Sequence, residues 1–141
     1  MLIRDAVAAD APILVQLLAQ LDYPAREDFI RQQITRMQAN ADSRLLVAVI
    51  DDGVCGFISL HFIAQLPLEG DFCRVSYLCV SDGQRGAGVG QQLLDAAERL
   101  AVGRGCDRME VHSHSRRLRA HQFYARAGYQ ESPKYLIKSC H

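Results

Sequence analysis

The sequence predicts a single α/β domain in which helices cover both faces of a mixed sheet. The chain has 141 residues, of which 49% are hydrophobic and 23% charged, so it is long enough to bury one core. An early hairpin signal indicates antiparallel strands, and a later strand–helix–strand succession indicates a parallel crossover. The periodic segments follow the order β-α-α-β-β-β-α-β-α-β without an internal repeat, so we expect residues 1–141 to form one domain.

The first part of the chain predicts one strand and two helices. Leu2 to Asp5 is a strand candidate, and Asp10 with Pro12 marks a helix start. Apolar residues then recur at helical spacing, and we expect Pro24 to end this first helix. A second apolar stripe, from Phe29 to Met37, predicts the second helix.

A hairpin is predicted after the two helices. Arg44 to Ile50 and Val54 to Ile63 are strand-like, and Asp51-Asp52-Gly53 between them is a turn signal because glycine tolerates positive φ. Residues 64–71 contain a proline and a glycine and are expected to form a loop.

The remaining segments complete the predicted order and include the crossover. They are the strand Phe72 to Val80, a helix from Val89 that ends near Gly103 or Gly105, the strand Cys106 to Ser113, a helix from Arg116 to Ala127, and the extended segment Tyr129 to Lys138. Gly128 is a plausible C-terminal stop for the last helix.

Charge, hydropathy and cysteine content exclude several classes of partner. Lys+Arg and Asp+Glu both number 16, so the net charge of zero provides no argument for nucleic acid or an anionic membrane. No apolar run approaches the roughly 20 residues that cross a bilayer, and the acidic N-terminus is unlike a signal peptide. Cys55, Cys73 and Cys79 fall inside apolar strands. We therefore expect a reduced, cytoplasmic protein with neither a nucleic-acid nor a membrane partner.

The stretch Arg85-Gly86-Ala87-Gly88-Val89-Gly90 joins a strand to a helix and is typical of a phosphate-binding loop. Its glycines let the backbone approach a ligand, and the helix N-terminus favours an anion. A triphosphate loop would continue Gly-Lys-Ser/Thr, whereas Gln91-Gln92 follow here, and the dinucleotide fingerprint G-x-G-x-x-G does not fit. The loop is therefore expected to hold the pyrophosphate of a different ligand.

Two motifs make the chain similar to the GNAT superfamily of acetyl-CoA-dependent N-acetyltransferases. One is the loop Arg85 to Gly90 after a strand that ends in valine, and the other is RAHQFYARAGY, Arg119 to Tyr129. The resemblance covers essentially the whole chain. It implies an enzyme that transfers acetyl from acetyl-CoA to a primary amine of a small molecule, on a GNAT-like, mostly antiparallel mixed sheet of about six or seven strands.

The resemblance also implies roles for residues near the coenzyme. Leu78, Cys79 and Val80 would pair with the pantetheine arm like an added strand, and an N–H of Leu78 or Val80 would polarise the thioester carbonyl. Arg85, Gly86, Ala87, Gly88, Val89 and Gly90 would hold the pyrophosphate. Tyr124 would protonate the leaving thiolate, since a phenol of pKa about 10 is protonated at neutral pH. His121 would line or buttress the coenzyme site.

The group that accepts the proton of the amine stays open. Many members of the superfamily have Glu or Asp at the position of Tyr77, and tyrosine is a poor base near neutral pH. Glu110 and His112 lie at alternate positions of the following strand, hence on one face, and are the catalytic candidates. A water ordered by Ser76 is an alternative.

Tyr23, Glu69, Asp71 and Tyr77 are the residues expected to bind the acceptor. The carboxylates among them would favour a substrate with several amino groups. Two other functions stay open: acetylation of a protein N-terminus or lysine, and a non-catalytic acyl-CoA sensor, which the tyrosine at position 77 suggests.

A metal is not expected, although His112-x-His114 has a spacing that could contribute to a zinc site. A closed zinc site needs four ligands, and no nearby cysteine or acid pair supplies the others. The last extended segment, with Tyr129, Tyr135, Leu136 and Ile137, could form a homodimer interface or simply pack in the core.

Overall fold

The computed structural model describes residues 1–84, 86–112, 118–131 and 136–140. Within them the chain forms five strands and four α-helices. In order these are β1 (Leu2–Asp5), α1 (Ala11–Gln20), α2 (Glu27–Gln38), β2 (Ser43–Ile50), β3 (Gly53–Ile63), β4 (Phe72–Val80), α3 (Val89–Gly103), β5 (Arg108–Val111) and α4 (Leu118–Arg126).

The strands form one mixed sheet in the order β1-β2-β3-β4-β5. All neighbours are antiparallel except β4 and β5, which are parallel and joined through α3 as the crossover pattern predicted. The mixed, mostly antiparallel sheet is therefore confirmed. The sixth strand expected over residues 129–138 is not formed at 129–131 or 136–140, and residues 132–135 lie outside the described part of the chain.

Helices lie on both faces of the sheet, and each face has its own core. Against α1 and α2, the buried side chains include Leu14, Leu17, Ile34, Val47 and Phe57. Against α3, a larger cluster includes Leu46, Ile58, Leu60, Val75, Leu93 and Leu94. The alternation of Leu46, Val47 and Ala48 between these two cores shows why β2 is a continuous apolar run, because both of its faces are covered.

Two turns differ from the sequence prediction. In the β2–β3 hairpin, Asp51 and Asp52 have positive φ, 51° and 63°, whereas Gly53 is the first residue of β3. A two-residue hairpin turn with positive φ at both positions follows the strand twist, and aspartate tolerates this region. Helix α1 ends at Gln20, before Pro24, and the chain turns through Asp22, whose φ is 64°.

A bulge divides β4 into two halves that face opposite ways. The register with β3 passes from Ser59 opposite Tyr77 to Leu60 opposite Val75, so Ser76 is the extra residue. An extra residue exchanges the faces of all side chains beyond it. Val75 therefore packs toward α3, whereas Cys79, although separated from it by an even number of residues, packs toward α1.

The described helices include none that is both long and apolar enough to cross a membrane. The predicted burial of three strand cysteines is confirmed, since Cys55, Cys73 and Cys79 are buried as free thiols.

Candidate active site

The bulge in β4 coincides with the point where β5 leaves it. The parallel pairing of β4 with β5 runs from Phe72 opposite Arg108 to Val75 opposite Val111. Beyond Val75, β4 continues to Val80 along β3, and no strand in the described part of the chain pairs with its other side. This half of β4 therefore has an open edge, which is the structural requirement for an extended ligand to pair with the sheet.

The direction of the backbone groups along this edge follows from one hydrogen bond. Ser81 donates its N–H to the Cys55 carbonyl at 2.7 Å, so Ser81 faces β3. Because backbone groups alternate along a strand, Cys79 also faces β3, and the N–H and C=O of Leu78 and Val80 face the open side. The Cys79 thiol in turn donates to the Leu17 carbonyl at 3.3 Å. Two of the three predicted coenzyme residues on β4 thus reach the edge, and Cys79 does not.

The glycine loop follows this edge directly and opens toward solvent. Gly86 and Gly88 have φ values of 88° and 78°, in the left-handed region that disfavours other residues, and Gly88 is the N-cap of α3. A Cβ on either would meet no other atom within 4 Å. The helical hydrogen bonds of α3 begin with the bond from the Gln92 N–H to the Gly88 carbonyl. The amides of residues 88–91 therefore precede this ladder of hydrogen bonds. Arg85 lies outside the described residues.

Helix α4 packs against the first turn of α3. A Cβ on Gly90 would lie 3.5 Å from the Phe123 ring and 3.6 Å from the Val80 side chain. Gly90 thus permits α4, the loop and the end of β4 to meet. Since Tyr124 follows Phe123, with ring centroids 5.2 Å apart, this contact also brings Tyr124 to the site.

Tyr124 is surrounded by apolar and aromatic groups. Its ring lies 5.7 Å from that of Tyr129, and it packs against the same core cluster as Leu78 and Val80. Burial raises the pKa of Tyr124 to about 12, so the phenol is protonated at neutral pH. His121 is exposed one helical turn before Tyr124, on the same side of α4.

The structure brings two predicted acceptor residues together. Tyr23, in the α1–α2 connection, and Tyr77, on β4 next to the bulge, pack edge to face with ring centroids 5.3 Å apart. They are 48% and 40% exposed, respectively, which is unusual for contacting aromatic rings and leaves them accessible to a ligand.

Glu69 and Asp71 lie elsewhere, which corrects the expected composition of the acceptor site. Asp71 precedes β4 and lies 3.5 Å from the Arg104 guanidinium, and Glu69 is exposed in the loop before it. At about 3.3 Å per residue, Asp71 and Tyr77 are roughly 20 Å apart along β4. The two acids and the two tyrosines do not form one cluster.

Of the two proposed bases, Glu110 lies on β5 and faces the acceptor side, and His112 lies just beyond the strand. Glu110 is paired in register with Arg74, and neighbours in a parallel pair point to the same face, here the one opposite α3. The Glu110 carboxylate accepts a hydrogen bond from Arg108 Nε at 3.1 Å. His112 is exposed just beyond the end of β5, two residues further along.

Sequence reasoning missed a histidine on this face. His61, on β3, is half-buried, and its Nδ1 lies 3.0 Å from Ser76 Oγ at the bulge. Burial, with a smaller effect of the Arg74 charge, lowers the pKa of His61, so the imidazole is neutral at pH 7. The position of His61 within the apolar run SLHFI is a sequence pattern that indicates a functional residue. The bulge that brings Ser76 to His61, however, cannot be predicted from the sequence.

Among the described residues, no three His, Cys, Asp or Glu side chains are close enough together to hold a metal ion. His114, which the sequence pattern paired with His112, lies outside the described residues.

Comparison with known proteins finds a family and a curated protein with similar sequences. The sequence model of the acetyltransferase (GNAT) family matches residues 13–129. An aminoalkylphosphonate N-acetyltransferase from Salmonella typhimurium is 33% identical over 129 residues, which cover 92% of this chain and 81% of that protein.

Solved structures show the same fold at lower identity. A transcriptional regulator from Bacillus halodurans superposes with a TM-score of 0.89 at 21% identity and covers 98% of each chain. An aminoglycoside 6'-N-acetyltransferase from Acinetobacter haemolyticus gives a TM-score of 0.84 at 19% identity, over 99% of this chain and 97% of the other.

Proposed function

The chain belongs to the acetyltransferase (GNAT) family and is an acetyl-CoA-dependent N-acetyltransferase, and on this premise we propose that it acetylates the primary amine of a small molecule. The amine attacks directly, within a ternary complex. The observation that carries the proposal is the open edge of β4 leading into the glycine loop, because together they provide backbone groups for an extended arm and for its pyrophosphate.

The residues at this edge fit acetyl-CoA. The N–H and C=O groups of Leu78 and Val80 face the open side and would pair with the pantetheine amides. The amides of Gly86, Gly88, Val89 and Gly90 would bind the pyrophosphate, with Arg85 adding positive charge, whereas the Ala87 amide donates to the Gln84 carbonyl at 3.3 Å. Bound acetyl-CoA supplies an activated acetyl group as a thioester.

The chain contributes two groups to the transfer itself. A backbone N–H of Leu78 or Val80 donates to the carbonyl oxygen as negative charge develops there, an effect typically worth about a hundredfold in rate. Tyr124 donates its proton to the departing sulfur. The burial that raises the pKa of Tyr124 also disfavours a free thiolate beside it, so a proton donor there is needed.

For the amine proton, we propose that a water at Ser76 serves as the first acceptor. Ser76 immediately precedes Tyr77 at the bulge, and its hydroxyl is hydrogen-bonded to the neutral His61 imidazole, which can take up a proton. Glu110 and His112 are the alternative acceptors. The Glu110 carboxylate accepts a hydrogen bond from Arg108, which it would have to share or release to take up the proton.

The 33% identical relative from Salmonella typhimurium suggests the class of acceptor. Its name says that it acetylates aminoalkylphosphonates, which are small amines. Tyr23 and Tyr77 would border the amine, because their exposed rings lie next to the bulge. We therefore propose aminoalkylphosphonates and similar short primary amines as the first acceptors to test.

The C-terminal residues support a proposal that the protein forms a homodimer. Leu136 and Ile137 are 94% and 86% exposed, and two adjacent large apolar side chains in water favour burial against a partner.

A thiol-release assay with acetyl-CoA and a panel of amines tests the function. We expect release with short primary amines and none with tertiary amines of the same size. Saturable acetyl-CoA binding without release from any small amine, peptide N-terminus or lysine would instead favour a non-catalytic sensor. Release with peptides alone would favour a protein acetyltransferase.

A further inference from the structure

A cavity of about 430 Å³ lies beside the bulge, on the face of the sheet opposite α3. Ser76, Arg74 and His61 line one side of it, and Asp42 and Ser43 line the other. Ser76, which lines the cavity, is the chain neighbour of Tyr77, beside which the amine is proposed to lie. The acetyl-transfer steps described above do not use Arg74.

Arg74 differs from most arginines of the described chain in its partners. Six others form ion pairs with carboxylates: Arg4, Arg26, Arg31, Arg44, Arg104 and Arg108. Arg74 forms none with a described residue, although it is half-buried, and its Nε is buried without a hydrogen-bond partner there. Its guanidinium carbon lies 5.6 Å from the centroid of the Phe72 ring. A partly desolvated cation in this position favours an anionic partner.

The acids near Arg74 are engaged by other arginines. Asp42 accepts from Arg104 at 2.8 Å, and Asp71 lies 3.5 Å from the same guanidinium. Glu110, the register neighbour of Arg74, accepts from Arg108 at 3.1 Å. Among these groups, Arg74 is the guanidinium without a direct contact to a carboxylate of a described residue.

We propose that Arg74 forms, within this cavity, a subsite for a phosphonate group on the acceptor amine. This inference rests on the proposed function and assigns its substrate specificity. Arg74 and Tyr77 are about 10 Å apart along β4. That spacing joins Cα atoms, and both side chains lie on the face of the sheet opposite α3, so we expect an amine and a phosphonate separated by two carbons to contact both. The planar guanidinium can bind two phosphonate oxygens at once.

The test compares aminoethylphosphonate with its uncharged dimethyl ester, which keeps the amine and the two-carbon spacing, and the Arg74 variants control for the added methyl groups. In the wild-type enzyme we expect kcat/KM to be at least about tenfold higher for the phosphonate than for the ester. A hydrogen bond between two charged groups is stronger than one between a charged and a neutral group. Arg74→Met should reduce this ratio to near one, and Arg74→Lys should restore part of it. Arg44→Met, which removes an arginine paired with Asp5 on β1, should leave the ratio unchanged.

A binding measurement separates failure of this inference from failure of the proposed function. Methylphosphonate, which has no amine, is titrated into the protein with coenzyme A present, and its phosphorus NMR signal is followed. Binding that Arg74→Met abolishes and Arg44→Met retains supports the subsite even if no amine is acetylated. Equal kcat/KM for the two acceptors, or methylphosphonate binding that Arg74→Met does not weaken, overturns the subsite while acetyl transfer stands.

Discussion

Tyr124 is the residue whose surroundings bear most directly on the chemistry. Phe123 and Tyr129 pack on either side of it, and the resulting desolvation keeps its phenol protonated. The sequence motif predicted this tyrosine as the proton donor. The packing that raises its pKa depends on Gly90, which lies more than thirty residues away in the chain, and could not be derived from the motif alone.

Tyr124→Phe should lower kcat by about a hundredfold or more while the dissociation constant of acetyl-CoA changes little. The substitution removes the proton donor but keeps the ring that packs against Phe123 and Tyr129. Steady-state kinetics and a direct binding titration measure the two quantities separately. Unchanged turnover would remove Tyr124 from the mechanism.

His61 should make the stability of the protein depend on pH. Its pKa is lowered in the folded state, so the unfolded chain binds more protons once the pH approaches the unfolded value of about 6.5. The free energy of unfolding should therefore decrease as the pH falls from 7 toward 5. His61→Gln, which has no group that titrates there, should show a smaller decrease in urea denaturation. Identical pH dependence in the two proteins would contradict this account.

At the scale of elements, the bulge in β4 determines the geometry of the site. It ends the pairing with β5 at Val75, directs Leu78 and Val80 to the open edge, and brings Ser76 to His61. The strand over residues 72–80 was predicted with its observed bounds because its apolar run is clear. A one-residue bulge leaves no such pattern, so the contact between Ser76 and His61 could not be predicted, whereas the distance of Asp71 from Tyr77 follows from the length of the strand.

Gly88, the N-cap of α3, sets the conformation of the glycine loop where the helix begins. Gly88→Ala would place a side chain at a φ of 78°, at a cost of about 1–2 kcal/mol that the loop can avoid by changing conformation. We expect a lower melting temperature and weaker binding of coenzyme A.

Gly83→Ala is the matched control for this loop. A Cβ at Gly83 would also meet no atom within 4 Å, and Gly83 is not among the residues with positive φ. Its affinity for coenzyme A should equal that of the wild type, and equal affinities for all three proteins would rule out the loop conformation as a binding determinant.

At the scale of the whole molecule, the element order was sufficient to predict one domain with helices on both faces of a mixed sheet. The two faces have separate cores because α1 and α2 precede the hairpin, whereas α3 follows β4 and crosses to the other side. The number of strands was overestimated because residues 129–138 have the composition of a strand, but at 129–131 and 136–140 they make no strand pairing.

The proposed homodimer is tested by replacing the exposed apolar pair near the C-terminus. Leu136→Ser combined with Ile137→Ser should shift the protein from dimer to monomer in size-exclusion chromatography with light scattering, because each removes apolar area from the proposed interface. The thermal stability of the monomer serves as the control for folding. A wild-type protein that is monomeric at all concentrations tested would exclude the dimer.

The central claim is that acetyl-CoA pairs with the open edge of β4 and reaches into the glycine loop. A titration of isotope-labelled protein with acetyl-CoA, followed through the backbone amide resonances, tests it most directly. The account predicts saturable shifts at Leu78, Val80 and the loop glycines, and smaller ones at Cys79, whose amide faces β3. Saturable binding that leaves the amides of Leu78 and Val80 unshifted, or no binding by the folded protein, would contradict it.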